Sequence, residues 1–309
     1  MWKGGAMTAH RSGWICTGLH WQDGRPVLTA ENGSRVHERV LTAGMCCGWR
    51  WSGARRCTGA WTSAGRRPCP HAATVDAAAT VAQCQACQNA DRGLALARDR
   101  ILDDGRTYTL YLAWFGTGML KVGITAAARG TSRLLEQAAL AFTIVGRGAL
   151  PAVRRAELTV SRTGLARERY RSRAKTDRWW GLPGPEERRS EITELRARVL
   201  ALLDGHRLDL FGDAPVTDNT ALFGLTDGAP AGYREITALH DDGVLAGALH
   251  PPVGRYLFLD TPDHDVPLLL DTRLLTGRIL TAAGDQHCSG LDLAERNRPE
   301  HSGTQDSLF

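Results

Sequence analysis

Long hydrophobic runs are missing from this sequence, and so is the apolar stretch that an export signal requires. No window approaches the roughly 18 consecutive apolar residues of a membrane-spanning helix. The first 14 residues, MWKGGAMTAHRSGW, lack the hydrophobic centre of a signal peptide. These absences argue against a membrane protein and against a secreted one. We therefore expect a soluble, cytoplasmic protein with no membrane partner.

Lysine is nearly absent, with 3 lysines against 35 arginines, a ratio typical of a GC-rich genome that favours arginine codons. Codon bias does not explain where the charges lie. Residues 1–190 carry 29 basic and 14 acidic side chains, whereas residues 191–309 carry 9 and 19. The basic front half favours a polyanionic partner, DNA or RNA. The acidic back half leaves open another function, an adaptor that contacts a basic protein.

The composition of the 309 residues, 43% hydrophobic and 23% charged, permits a substantial core, and the length suggests about two domains. We predict an α+β fold. Its predicted segments are a disordered N-terminus (1–13), a β-ribbon with a cysteine-rich region (14–100), a basic module (101–184), a helix with a small β-rich domain (185–284) and a disordered tail (285–309).

Local patterns place the main elements. Asp23-Gly24 separates two β-like runs and predicts a tight hairpin turn. Residues 106–164 predict the order β-β-α-β-α, with helices at 131–141 and from Pro151 to Gly164. A further helix is predicted from Pro185 to Gly205, and its apolar stripe is expected to face the core. The stripe consists of Ile192, Leu195, Val199 and Leu202.

Four of the eight cysteines have the spacing of a metal site: Cys57, Cys69, Cys84 and Cys87. Two thiolates in a C-x-x-C turn reach one Zn²⁺ at about 2.3 Å, and two more complete a tetrahedron. We predict a structural zinc site, with His71 as a substitute ligand. A C-x-x-C redox pair and incidental cysteines are the alternatives. The other cysteines, Cys16, Cys46, Cys47 and Cys288, are expected to be ordinary thiols.

The predicted module carries short motifs that resemble the GIY-YIG nuclease superfamily. They are Tyr111-Leu-Ala-Trp-Phe, Lys121-Val-Gly-Ile-Thr125, Arg133-Leu-Leu and Ala156-Glu157. The wider stretch from about residue 14 to 280 resembles the uncharacterised bacterial domain-of-unknown-function family 2797. That resemblance rests on the phrases RRCTGAW, RRPCP, QCQAC, YLAWFG and KVGIT…RLLEQ.

The superfamily resemblance implies a catalytic site for phosphodiester cleavage. Tyr111 would activate water as the base, and Arg133 would hold the phosphate. Glu157 would bind Mg²⁺ or Mn²⁺ through its carboxylate oxygens. Lys121 occupies the position of the family's second tyrosine, and no asparagine lies between residues 90 and 217. A module that binds nucleic acid without cleaving it is the alternative.

Basic residues follow and surround these motifs. Nine basic and three acidic side chains occupy residues 154–178, which favours phosphate contact over a merely solvated charged face. Trp179 and Trp180 are expected to be buried, with stacking on bases as the alternative. The predicted nucleic-acid contacts are Arg129, Arg154, Arg167, Arg169, Arg171, Arg173 and Lys175.

Overall fold

The computed structural model describes residues 13–63, 65–98, 100–101, 103–284 and 287–299. The predicted disorder of residues 1–12 and of 300–309 lies outside the described residues. The strands are β1 Trp14–Gln22, β2 Arg25–Asn32, β3 Arg35–Val40, β4 Cys46–Trp51, β5 Ala60–Thr62, β6 Gly65–Arg67, β7 Thr107–Trp114, β8 Leu120–Ala126, β9 Ala141–Ala149, β10 Asp209–Leu210, β11 Thr217–Asp218, β12 Gly232–Leu249, β13 Tyr256–Asp260, β14 Leu268–Asp271, β15 Ile279–Ala282 and β16 Ser289–Asn297.

Six α-helices lie between these strands in the described part of the chain. They are α1 Gln85–Ala90, α2 Arg92–Ala97, α3 Ser132–Glu136, α4 Leu150–Arg162, α5 Ser172–Thr176 and α6 Pro185–Leu202. None of these described helices combines the length and the apolar composition needed to cross a membrane. Strand and helix are both abundant, as the α+β prediction requires.

The hairpin predicted at Asp23-Gly24 is confirmed. Strands β1 and β2 pair antiparallel, and Gln22 lies opposite Arg25 at the turn. Asp23 and Gly24 both have positive φ angles, 49° and 74°. A two-residue turn with two positive φ angles matches the right-handed twist of the flanking strands. Glycine adopts this conformation without strain, and aspartate tolerates it.

The predicted β-rich domain at 185–284 is not separate from the N-terminal ribbon. The described strands of both regions form one sheet of nine, in the order β13-β14-β12-β4-β15-β1-β2-β3, with β16 also on β12. Strand β4 lies between two late strands, with Cys47 opposite Gly247 and Trp51 opposite Leu280. The sequence prediction missed this pairing because its partners are far apart along the chain.

The tail predicted to be disordered from residue 285 contains an ordered strand. Strand β16 pairs antiparallel with β12 from Gly232↔Asn297 to Val244↔Ser289. Its side chains are mostly half-buried or exposed, so its sequence is polar and lacks a clear hydrophobic alternation. The strand is stabilised by backbone hydrogen bonds to β12 and by Leu291 and Leu293, which pack against the hydrophobic core of the sheet. Pairing with a distant strand is not revealed by local patterning.

The region of the predicted module contains the order β-β-α-β-α, as strands β7 and β8, helix α3, strand β9 and helix α4. Its sheet has the order β10-β9-β7-β8, with β11 on β9. Helix α3 ends at Glu136, earlier than the predicted residue 141, because Ala138 has a φ of 58°. Helix α6 buries Ile192, Leu195 and Val199 as predicted, whereas Leu202, the fourth residue of the predicted stripe, is half-buried.

A shared aromatic core joins this module to the nine-stranded sheet. Trp179 is fully buried, and its ring lies edge-on to Tyr256 at 5.4 Å between centroids. Trp180 stacks on Tyr233 at 5.3 Å and donates its indole N–H to the Pro230 carbonyl. Trp179 therefore has the predicted structural role, and Trp180 is also largely engaged within the protein.

Asp104 connects the cysteine-rich region to the module. Its carboxylate accepts hydrogen bonds from Arg92 at 2.7 Å, Arg106 at 2.8 Å and the Tyr108 hydroxyl at 2.8 Å. Burial by itself would raise the pKa of Asp104, but these donors outweigh it and hold the pKa far below its usual range. The ionised carboxylate therefore stabilises the junction between α2 and β7.

We expect Asp104→Asn to lower the free energy of unfolding at pH 7 by about 2 kcal/mol, since charged hydrogen bonds are lost. The folded pKa lies below the unfolded value of about 3.9, so this contribution is present above pH 4 and declines as the pH falls further. Urea unfolding at pH 7 and at pH 3 measures the difference between the two proteins. Asp103→Asn, at an exposed neighbour, is the control; an equal effect of both substitutions would contradict the prediction.

Candidate metal centre and basic surface

The four predicted metal ligands lie together. The Sγ atoms of Cys57, Cys69, Cys84 and Cys87 are all within 4.8 Å of one another. Cys69 and Cys84 are 3.9 Å apart at sulfur. Four bonds of about 2.3 Å around a tetrahedral ion would separate the sulfurs by about 3.8 Å, whereas a disulfide requires about 2.05 Å. The spacing fits a metal ion and does not fit a disulfide.

Turns and one short helix position the four thiols. Cys57 follows the isolated bridge between Arg56 and Thr74, and its amide donates to the Ala73 carbonyl at 2.8 Å. Cys69 follows strand β6, while Cys84 precedes α1 and Cys87 lies within it. The C-x-x-C pair thus projects from the first turn of a helix, and the other two thiols come from separate loops.

Backbone amides point at the sulfur of Cys57. The Cys84 amide donates to it at 3.2 Å and the Gly59 amide at 3.4 Å. Burial raises the pKa of the Cys69 thiol, but amide hydrogen bonds from Ala73 and His71 and the neighbouring thiols outweigh it and bring the pKa to about 7. Amide donors stabilise thiolates, the form that binds metal. Burial nevertheless raises the pKa of Cys57 despite its two amide donors, and burial with the neighbouring thiols raises the pKa of Cys87. These two thiols would lose their protons on binding a cation.

The hydrophobic cluster around these cysteines is small. Its buried members among the described residues are Cys57, Ala60 and Cys87. So little buried apolar surface stabilises a fold weakly, and a metal ion bound by four ligands would supply the missing free energy. The cysteine cluster could thus hold a structural metal ion. His71 contributes its amide to Cys69 and is exposed, so the four cysteines form the set without it.

Arg55 anchors the cysteine-rich region to the nine-stranded sheet. Its buried guanidinium donates to the carbonyls of Thr276 at 2.8 Å, Ala79 at 2.7 Å and Arg273 at 3.2 Å. The Thr276 and Arg273 carbonyls belong to the segment before β15, and the Ala79 carbonyl belongs to the loop between Cys69 and Cys84. The Arg55 side chain therefore fixes the loop that connects Cys69 to Cys84, two of the four thiols.

Tyr111, the predicted base, is buried in the module, with 2% of its surface exposed. Its hydroxyl accepts a hydrogen bond from Gln137 at 3.1 Å. Burial raises the pKa of Tyr111, although the Gln137 bond and the charge of Arg133 oppose this. A base near neutral pH would need a lowered pKa. The protein environment therefore works against the predicted role.

The absence of a side chain at Gly123 makes room for the Tyr111 ring. The two residues lie opposite each other in β8 and β7. A Cβ atom at position 123 would be 2.5 Å from the Tyr111 hydroxyl oxygen and 2.6 Å from Cζ. Sequence analysis identified the motif around Gly123, and the structure gives the glycine a packing role.

Lys121 and Lys175 are buried on the same side of the module, each about 8% exposed. Lys121 donates to the Glu168 carbonyl, and Lys175 donates to the Gln137 carbonyl at 3.0 Å and lies 3.6 Å from the centre of the Phe115 ring. Burial is the main cause that lowers the pKa of Lys121 to about 8 and that of Lys175 to about 7. Lys175 thus lies inside the module and does not form part of its exposed charge.

Arg133 and Glu157 lie near this group without being buried. Arg133 is exposed on α3, 3.6 Å from Glu136. Glu157 is half-buried on α4, and its negative charge acts on both Tyr111 and Lys121. The four residues of the predicted catalytic site therefore share one electrostatic neighbourhood. Sequence analysis missed Gln137, which contacts Tyr111 and Lys175, because an isolated helical glutamine gives no signal.

The predicted nucleic-acid contacts fall into two groups. Three are engaged within the protein: Arg129 bonds both oxygens of Glu136 at 2.7 Å, Arg154 donates to the Leu96 carbonyl, and Lys175 is buried. The other four have exposed side chains along one short segment, and Arg167 and Arg169 among them also interact within the protein: Arg167, Arg169, Arg171 and Arg173.

Comparison with known proteins gives a family. A family model described as a protein of unknown function, DUF2797, matches residues 33–279. The chain belongs to this family. The DUF2797 match spans the cysteine cluster, the whole module and the strands from β3 to the start of β15. No curated protein and no solved structure gives a significant match. Both candidate sites therefore lie within the region that the family model matches, but membership of DUF2797 assigns no activity.

We expect Gly123→Ala to lower the free energy of unfolding by about 1–3 kcal/mol, because the new methyl group overlaps the buried Tyr111 ring. Urea unfolding of the purified variant measures this loss. Gly181→Ala is the matched control, since a Cβ atom there has nothing within 4 Å and the residue is exposed. Equal stabilities of the two variants would show that the ring can move aside at no cost.

Purified protein should contain about one metal ion per chain, measured by elemental analysis, and a strong chelator should lower its melting temperature. Replacing two ligands in Cys84→Ser/Cys87→Ser should abolish the metal content. Cys46→Ser changes an exposed thiol outside the cluster and should retain it. A metal-free protein with undiminished stability would contradict the assignment.

Proposed function

We propose that this protein binds nucleic acid through an exposed arginine segment, residues 165–178, and that zinc organises the adjoining cysteine-rich region. The observation that carries the proposal is the exposure of Arg167, Arg169, Arg171 and Arg173 along a segment fixed against the module. Guanidinium groups bind phosphate oxygens bidentately, and a row of them fits a polyanion.

The arginine segment is held in place at both ends. Its first part extends the sheet, because the amide of Arg167 donates to Leu120 at 2.9 Å and its carbonyl accepts from Val122 at 3.0 Å. Its last part is helix α5, which Lys175 anchors to the Gln137 carbonyl. A fixed backbone reduces the conformational entropy lost on binding. The segment therefore offers arginine side chains on a backbone that is ordered before a phosphate binds.

Zinc is the metal we propose for the cysteine cluster. Four thiolates in a tetrahedral arrangement are a common structural zinc site, and such a set leaves no coordination position for a substrate. The metal would stabilise the fold and would take no part in chemistry. Elemental analysis of the purified protein distinguishes zinc from iron, the other metal that four cysteines bind.

Metal-dependent cleavage of phosphodiesters is the second candidate. It is favoured by the shared neighbourhood of Tyr111, Lys121, Arg133 and Glu157, in which Glu157 could bind Mg²⁺ or Mn²⁺. The burial of Tyr111 and its raised pKa weigh against it. Binding without cleavage therefore agrees better with the geometry of this site.

Binding to labelled single-stranded, duplex and branched DNA and RNA should weaken steeply between 50 and 200 mM salt. Arg171→Ala/Arg173→Ala should reduce affinity for all sequences evenly and lower the salt slope by about one per arginine removed. Fluorescence anisotropy measures both quantities. Arg25→Ala/Arg35→Ala, two exposed arginines at the starts of β2 and β3 and outside the arginine segment, is the matched control.

The same samples, incubated with Mn²⁺ or with EDTA, test cleavage. Loss of substrate that requires the metal and disappears in Glu157→Ala would establish the nuclease function. Salt-insensitive binding, or no binding to any of these nucleic acids, would overturn the proposal in favour of a protein-interaction adaptor.

A further inference from the structure

A groove of about 440 Å³ runs beside the arginine segment. Its walls include Met119, Arg167, Tyr170, Asp177 and Arg178. This volume lies within the range of about 300–1,000 Å³ that is typical of small-ligand sites. Two cationic side chains, one aromatic ring and one apolar side chain thus border the same space. Neither Tyr170 nor Arg178 belongs to the predicted contacts.

The ring of Tyr170 is fixed in this groove. Its hydroxyl donates to the Leu120 carbonyl at 2.9 Å, and Phe115 packs against it with 6.3 Å between ring centroids. The Arg167 guanidinium lies 5.9 Å from the ring centre. A held aromatic ring beside a guanidinium is a stacking platform, because both planar groups can pack against a nucleobase.

Arg178 is also positioned before any ligand arrives. Its stem covers Gly116, where a Cβ atom would be 2.5 Å from the arginine Cβ and 2.8 Å from its Cγ. Gly116 has a φ of 144°, so a side chain there would be strained as well as crowded. The glycine therefore allows the arginine stem to lie against the backbone, and the exposed guanidinium remains at the groove.

The acidic residue in the groove wall does not leave the site negative. Asp177 forms an ion pair with Arg296, which also lies near Glu235 at 3.3 Å. Its carboxylate is thus already satisfied by a cation from β16. The Glu191 carboxylate also lies beside the groove, where it accepts hydrogen bonds from the Trp114 indole and the Gly118 amide. Arg167 and Arg178 supply the exposed positive charge that a ligand meets, and this charge favours a phosphate group.

We propose that this groove binds one unpaired nucleotide of a single-stranded nucleic acid, with its base against Tyr170 and its phosphate against Arg178 and Arg167. The inference rests on the nucleic-acid binding proposed above and specifies its substrate class. A base paired inside a duplex is stacked between its neighbours and cannot reach a ring in a groove wall. The groove therefore selects single strands, whereas the arginine segment attracts any polyanion.

The test compares a labelled short oligothymidylate with a labelled duplex of mixed sequence, by fluorescence anisotropy on the full-length, metal-loaded protein. Tyr170→Leu should weaken binding of the single strand about 5- to 150-fold, the range for one stacked base, and leave duplex binding within about twofold. Tyr170→Phe retains the ring and should bind the single strand as the wild type does. Its retention of affinity separates the stacking role from the hydroxyl contact to Leu120.

Arg178→Gln is a second variant that retains the packing over Gly116 and removes the charge. It should weaken single-strand binding and lower its salt slope by about one. Unchanged single-strand affinity in both Tyr170→Leu and Arg178→Gln, with wild-type metal content and melting temperature, would overturn the inference while the proposed function stands. Absence of nucleic-acid binding by the wild-type protein would overturn both.

Discussion

The pairing of β4 between β12 and β15 is the constraint on which the rest of the structure depends. This pairing joins strands from the N-terminal and C-terminal parts of the chain into one sheet. Residues 52–231 then form one long insertion between the neighbouring strands β4 and β12. Closing so long a loop costs conformational entropy, although this cost grows only slowly with length. The insertion must therefore be ordered by further interactions, both internal and with the large sheet, and each of its parts uses a different one.

The cysteine-rich part relies on ligands and hydrogen bonds because its apolar core is small. Arg55 fixes its loop to the segment before β15, and Asp104 fixes its end to β7. The module relies on packing, with Trp179 and its aromatic partners filling the space against the large sheet. Both candidate sites are thus attached to the nine-stranded sheet, and a nucleic acid bound to one would lie on a fixed framework.

Features that depend on residues close together in the sequence could be predicted, whereas features that depend on contacts between distant residues could not. The thiol cluster, the Asp23-Gly24 hairpin and the β-β-α-β-α order are encoded by local spacing, turn residues and periodicity, and all were predicted. Strand β16 and the joining of β4 to β12 were missed, because backbone pairing between distant segments leaves no local pattern. In the candidate site the four motif residues could be named, but the burial of Tyr111 and Lys175 depends on how α3 and α5 pack, which no local pattern specifies.

The burial of the lysines and the exposure of the arginine segment determine which side chains of the module would be available for the proposed phosphate contacts. Two of the three lysines in the chain, Lys121 and Lys175, are buried in the module, whereas the side chains of its arginine segment are exposed. Buried arginines occur at other positions: Arg55, Arg188, Arg278 and Arg296. Lysine can lose its charge when it is buried, and arginine cannot. Burial lowers the pKa of both lysines, to about 8 and about 7, because the charged form loses solvation in the interior of the module. Under the proposed function, a phosphate would therefore contact the arginines of the exposed segment, and the buried motif residues would lie beneath that segment.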